Sequence, residues 1–157
     1  MKHTLLFLLL ICASSLQITV AGNRPKLTDD ELMTLVQKQT FRYFWDFAHP
    51  ESGLARERSN DRLEVATIGG SGFGVMAIIV GVERGFITRE QGAERLLKMV
   101  EFLNKADSYH GIWAHWMDGA TGKTIPFSRK DDGADLVESA FMFEGLLAAH
   151  QYFDRDT

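Results

Sequence analysis

Apolar residues recur at helical intervals in four stretches of the chain, and the stretches differ in how much of the helix surface they cover. In the first, Leu32, Leu35, Val36, Tyr43, Phe44 and Phe47 keep a 3.6-residue period while Asp30, Gln37, Lys38 and Arg42 face elsewhere. Thr28 and Glu31 have capping-box spacing, so a one-sided helix is predicted from there to Ala48. Pro50 biases His49 away from helical dihedrals and Gly53 permits a turn, which ends the helix; a polar connection then runs to Gly70. The second stretch, residues 73–84, carries Val75, Met76, Ala77, Ile78, Ile79, Val80 and Val82 with no polar face, so its helix must be covered on every side. Gly85 closes it. Thr88 and Gln91 form a second capping box, and Ala93, Leu96, Leu97, Val100 and Leu103 make a third, one-sided helix. The fourth stretch, from Leu136 through Phe141, Met142 and Leu147 to about Phe153, is apolar nearly all round.

The order is therefore amphipathic, buried, amphipathic, buried. Two helical hairpins whose second members are apolar throughout suit an all-α architecture, part of an α/α toroid in which outer helices screen an inner ring. Gly81 and Gly145, 64 residues apart, sit near the same point of the two buried helices and hint at a repeat. Before the last helix, residues 109–130 form a long connection. Ile112, Trp113, His115 and Trp116 beside the turn-rich Asp118, Gly119 and Gly122 predict a hairpin-like excursion there. The long connections lead into the buried helices and the short one at Gly85 does not, so elaborated loops gather on one rim, where functional loops usually sit.

The composition, 45% apolar and 24% charged in 157 residues with mean hydropathy −0.10, is that of an ordinary globular chain and excludes disorder. It is not evenly distributed. Residues 5–12 read LLFLLLIC behind a Met-Lys-His head, and small residues follow at Ala21, which is the pattern of a secretory signal peptide over 1–21 and too short for a membrane span. Its removal leaves 136 residues as one domain, with no further membrane-spanning run, and takes one lysine and no acid, so the formal charge goes from −4 to −5. An acidic exported protein is a poor nucleic-acid binder. The single cysteine, Cys12, leaves with the signal, so no disulfide is expected; bulky Ile11 before it disfavours a lipid anchor. The expected location is periplasmic or secreted.

Gly72, Gly74 and Ala77 match a dinucleotide fingerprint, but another amphipathic helix follows where that motif needs a strand with an acidic residue, so the glycines are read as a close-packed helix start. The carboxylates are the sharper signal. Asp131, Asp132, Asp135 and Glu138 gather at the start of an otherwise apolar helix, where burying unpaired acids is costly. Capping the helix explains Asp131 and Asp132. Asp135 and Glu138 share one face below a tryptophan-rich loop and point to acid–base work, as in glycoside hydrolysis, where one carboxyl protonates the leaving oxygen and another activates water. Trp113, His115 and Trp116 would supply the flat faces and polar edges of a sugar site, or a loop folded onto the core. Arg58 lies on the same rim and could bind hydroxyls; His49 and His110 are read as solvated. No metal or organic cofactor is called for.

The blocks TFRYFWDFAHPESGLARERS, GGSGFGVMAIIVGVERGFITREQ, HWMDGATGKTIPF and DDGADLVESAFMFEGLLAAHQYFD resemble the N-terminal part of the bacterial glucoamylase-like glycoside hydrolases, the group that includes endo-β-1,2-glucanases. The resemblance implies an (α/α)6 barrel and hydrolysis of a β-glucan or related oligosaccharide with inversion. It also implies catalytic-pocket roles for Asp131, Asp135 and Glu138, with Trp113, His115 and Trp116 in a lining loop. Six hairpins need roughly three times the helices present, counting about five turns each. Residues 22–157 are therefore expected to be the first part of a longer domain, inactive on their own. A carbohydrate-binding protein without catalysis and a helical interaction module stay open beside this reading.

Overall fold

Thr28 opens the first helix as its spacing predicts. Its hydroxyl accepts from the Glu31 N–H and the Glu31 carboxylate accepts from the Thr28 N–H, and α1 runs over Asp29–Trp45. The structure, a computed structural model, describes residues 26–154. The predicted signal peptide and Cys12 lie outside the described residues. Short strand β1 (Val65–Thr67) leads into α2 (Ile68–Glu83), and α3 (Arg89–Leu103) begins on the second capping box, Thr88 with Gln91. Four strands follow, β2 (Ser108–Tyr109), β3 (Ile112–Trp113), β4 (Trp116–Asp118) and β5 (Thr124–Ile125), before α4 (Leu136–Tyr152). The excursion predicted before the last helix is thus two hairpins, and the expectation of an all-α chain is corrected to a helix-rich one with two small antiparallel sheets. One orders β1-β4-β5, the other pairs β2 with β3. Tertiary pairing made β1: Ala66 lies opposite Met117, which a reading of local pattern could not supply.

The helix α2 starts five residues earlier than its apolar run, taking in Gly69, Gly70 and Gly72. Glycine costs a helix roughly 1 kcal/mol relative to alanine, and here the reason for it is space. A Cβ on Gly72 would strike the Phe141 carbonyl, and one on Gly145 would come within 2.5 Å of the Gly72 carbonyl oxygen. α2 and α4 therefore cross backbone to backbone, in the largest contact of the fold. Gly81 does something else, leaving room for the Phe41 ring of α1, so the 64-residue echo is not a structural repeat.

A different repeat is present. The Ser71 hydroxyl of α2 accepts from the Ala55 N–H, and the Thr67 N–H donates to the Ala55 carbonyl. The Ser139 hydroxyl of α4 accepts from the Trp113 N–H, and the Asp135 N–H donates to the Trp113 carbonyl. Both serines are fully buried, both are the fourth residue of their helix, and each helix start adds one antiparallel bridge, Arg56 to Ala66 and Ala114 to Ala134. The true offset is 68 residues, which also aligns Phe73 with Phe141, and these two rings pack at 5.1 Å.

The core gathers Leu54, Ile68, Val75, Ile78, Met99 and Met142 where the helices meet. The two apolar helices, whose pattern calls for cover on every side, are not covered all round by the described residues. Phe73 is 57% exposed, Leu147 62%, and Met76, Val80, Phe141 and Phe143 are also exposed. Four helices present too few neighbours to surround two apolar cylinders. His49 corrects the sequence reading in the other direction: it is 2% exposed, its Nδ1 accepts from the Glu51 N–H, and its Nε2 lies 3.0 Å from Glu64. His110 is exposed as expected. Among the described residues no helix is long and apolar enough to cross a membrane.

Candidate active site

Asp135 is the N-cap of α4. One carboxylate oxygen accepts from the Val137 and Glu138 N–H groups at 2.9 and 3.0 Å, and the other meets His115 Nδ1 at 3.2 Å. Asp131 and Asp132 consequently lie before the helix rather than in its first turn. Burial pushes the Asp135 pKa up, but the donors from Glu138, Val137 and His115 together outweigh it and hold the carboxyl below the usual range. The group stays ionised near neutrality, so His115 presents its Nδ1 proton to it.

Glu138 turns toward the same imidazole, with Oε1 3.9 Å from His115 Nε2. Its other oxygen accepts from the Gly69 N–H at 2.9 Å and from the Thr67 hydroxyl at 3.4 Å. Thr67 does not cap its own helix, so the first turn of α2 is satisfied by an acid from α4. A Cβ at Gly69 would lie 2.6 Å from that carboxylate, so only glycine lets Glu138 sit on the helix end.

Asp131 arrives from a tight reversal in which the Phe127 N–H donates to its carbonyl at 2.9 Å and its own N–H donates to Ser128 at 3.1 Å. His115, Asp131 and Asp135 each bring one donor atom within 4.8 Å of the others. This set has the chemistry to hold a cation, yet Asp135 is already committed to the helix cap and to His115. The arrangement is an acid–base cluster first.

Of the other residues singled out from the sequence, Trp116 stands edge-on to His115 with ring centres 5.6 Å apart. Trp113 is placed elsewhere. Its indole donates to the Leu103 carbonyl at 3.3 Å and packs on Phe143, so it anchors β3 to α3 and α4. Arg58 pairs with Glu57 and lies 3.6 Å from Asp61. That pairing, with Arg58 as the chief cause, holds the Glu57 carboxyl below its usual range. Sequence reasoning missed Phe127, which stacks on His115 at 4.2 Å and meets Trp116 at a tilt at 4.7 Å, and Arg62, whose guanidinium covers Trp116 at 5.5 Å. An aromatic beside Pro126 in a polar run was the available signal.

No family model matches the chain. It is 52% identical over 139 residues to the exo β-1,2-glucooligosaccharide sophorohydrolase of Parabacteroides distasonis, which covers 88% of this chain and 19% of that protein. The chain is homologous to a segment of the bacterial glucoamylase-like glycoside hydrolases. Among solved structures, an endo-β-1,2-glucanase from Chitinophaga pinensis, in complex with sophorotriose and glucose, is 53% identical with a TM-score of 0.80, over 84% of this chain and 33% of that one. A Bacteroides uniformis protein provisionally named a glucoamylase is 82% identical with a TM-score of 0.82, over 84% and 32%. The chain therefore spans about a fifth of the curated hydrolase and a third of these two solved homologues.

Proposed function

We propose that this chain forms one wall of the active site of an exported hydrolase of β-1,2-linked glucan or a related oligosaccharide, with Asp131, Asp135 and Glu138 as its carboxylates. The observation that carries the reading is the pair Asp135 and Glu138 on either side of His115, one of them kept ionised by helix N–H groups. Hydrolysis of a glycosidic bond requires a carboxylate that stays charged to activate or orient water, which Asp135 supplies, and a separate carboxyl group that protonates the leaving oxygen. Asp135 and Glu138 orient or activate the water, Asp131 assists, and His115 with Trp116 flanks the sugar. Inversion follows if water is the direct attacker.

The names of the relatives at 52–53% identity support the β-1,2 linkage. An (α/α)6 barrel is supported by the bare apolar sides of α2 and α4, at Phe73, Met76, Phe141 and Leu147, which further inner helices would cover. Export is supported by the run at residues 5–12. The test is release of reducing ends from β-1,2-glucan by a barrel containing this segment. Asp135→Asn and Glu138→Gln should each lower turnover by about 10²- to 10⁴-fold; wild-type turnover in both overturns the assignment.

A further inference from the structure

We propose that the cleft between the β2–β3 hairpin and residues 130–134 is a second sugar subsite, holding glucosyl units next to those at the carboxylate cluster. The inference rests on the glucan reading above and assigns the residues that extend it along the chain of sugars. The cleft is open-sided and has a volume of ≈ 630 Å³, within the range that small-ligand sites use. One wall is Tyr109 with His110, the other Lys130, Asp131 and Asp132, and Ile112 contributes apolar lining.

Tyr109 is 66% exposed, yet its position is fixed. The turn that joins β2 to β3 consists of His110 and Gly111 at φ 52° and 82°, the two left-handed residues of a tight hairpin turn whose twist matches the strands. The Tyr109 and His110 rings meet edge-on at 4.2 Å, and Ser108 pairs with Trp113, whose indole is tied to α3. An aromatic ring held in the open on a pinned hairpin forms a platform, the chemistry that stacks on the C–H face of a pyranose.

The facing wall supplies the complementary edges. Among the described residues, the Lys130 ammonium and the Asp132 carboxylate have no protein partner, so both are available to hydroxyls. Asp131 makes the connection: it lines the cleft, and its carboxylate lies within 4.8 Å of the His115 and Asp135 donor atoms. Asp131 therefore borders both the cleft and the cluster, and a sugar chain bound at the cluster would reach the cleft past it.

The test is an NMR titration of a barrel containing this segment with β-1,2-linked glucooligosaccharides of two to five units, following the Trp116 indole and the Tyr109 and Lys130 amides separately. Trp116 should shift with the shortest sugars and Tyr109 and Lys130 with the longer ones. Lengthening the sugar should tighten binding by roughly three- to tenfold, the worth of one aromatic contact. Tyr109→Ala should abolish that gain and leave the affinity for the shortest sugar unchanged, and Tyr109→Phe should retain it. Shifts at Trp116 without any at Tyr109 and Lys130, or a length-dependent gain that survives Tyr109→Ala, overturn the subsite and leave the glucan reading standing. No response at any of the three positions to any glucan overturns both.

Discussion

Thr67 and Asp135 occupy the same place in two copies of one motif. Each precedes an inner helix, each donates its N–H to the carbonyl of a residue whose own N–H is bound by a buried serine four positions further on, Ser71 or Ser139. The copies differ in what lies between their halves. Arg56 and its bridge partner Ala66 are ten positions apart, whereas Ala114 and Ala134 are twenty apart. The longer loop carries His115, Trp116, Phe127 and Asp131, and its N-cap is an acid that holds His115. The shorter copy ends on a threonine whose hydroxyl is turned to Glu138 of the other copy. One motif thus serves as scaffold twice and as a chemical site once. The scaffold is set by backbone hydrogen bonds to serine; the chemistry is an insertion into it.

The largest effect should come from separating the copies where they touch. Gly72→Val places a branched side chain against the Phe141 backbone, which has no rotamer to yield, and should lower stability by about 3 kcal/mol or more in urea unfolding. An unchanged midpoint would mean that α2 and α4 do not cross through that glycine.

A moderate and matched effect is expected at the serines. Ser71→Val strands the Ala55 N–H and Ser139→Val strands the Trp113 N–H, each buried, at about 1–3 kcal/mol. If the two helix starts are equivalent the two costs agree; a gap larger than about 2 kcal/mol in parallel denaturation curves breaks the equivalence.

The smallest effect is the one that sets the copies apart. Because the Asp135 carboxyl is held below its usual range in the folded state, its contribution to stability is full above the ordinary carboxylate pKa and is lost as pH falls through the lowered value. Asp135→Asn keeps a cap oxygen and should change stability little at neutral pH while flattening the slope on the acid side of about pH 4. An acid limb as steep in the variant as in the parent would show that the carboxylate is not stabilised by its helix and His115.

Local pattern carried much of this. Capping boxes at Thr28 and Thr88 needed only spacing, since the bonds they make are three residues apart, and both helices begin there. The Asp135 and Glu138 pairing was legible as acids where an apolar helix starts. The division between Trp113 and Trp116 was not, because three residues in an irregular strand do not fix a side chain's direction. Nor were Phe127 and His49, whose partners lie far along the chain or depend on how loops close, with Glu64 fifteen residues from His49.

By itself the sequence determined the four helices, two of their caps, the excursion before the last one and the acids at its start, all of which arise from neighbours within a few residues. Only the tertiary structure decided that Glu138 closes the N-terminus of α2, that His115 lies between two carboxylates, and that the repeat runs through Ser71 and Ser139 rather than Gly81 and Gly145. Those are contacts between segments 16 to 69 residues apart, and they depend on two helix backbones approaching at Gly72 closely enough to bring the N-termini of α2 and α4 to one end of the fold.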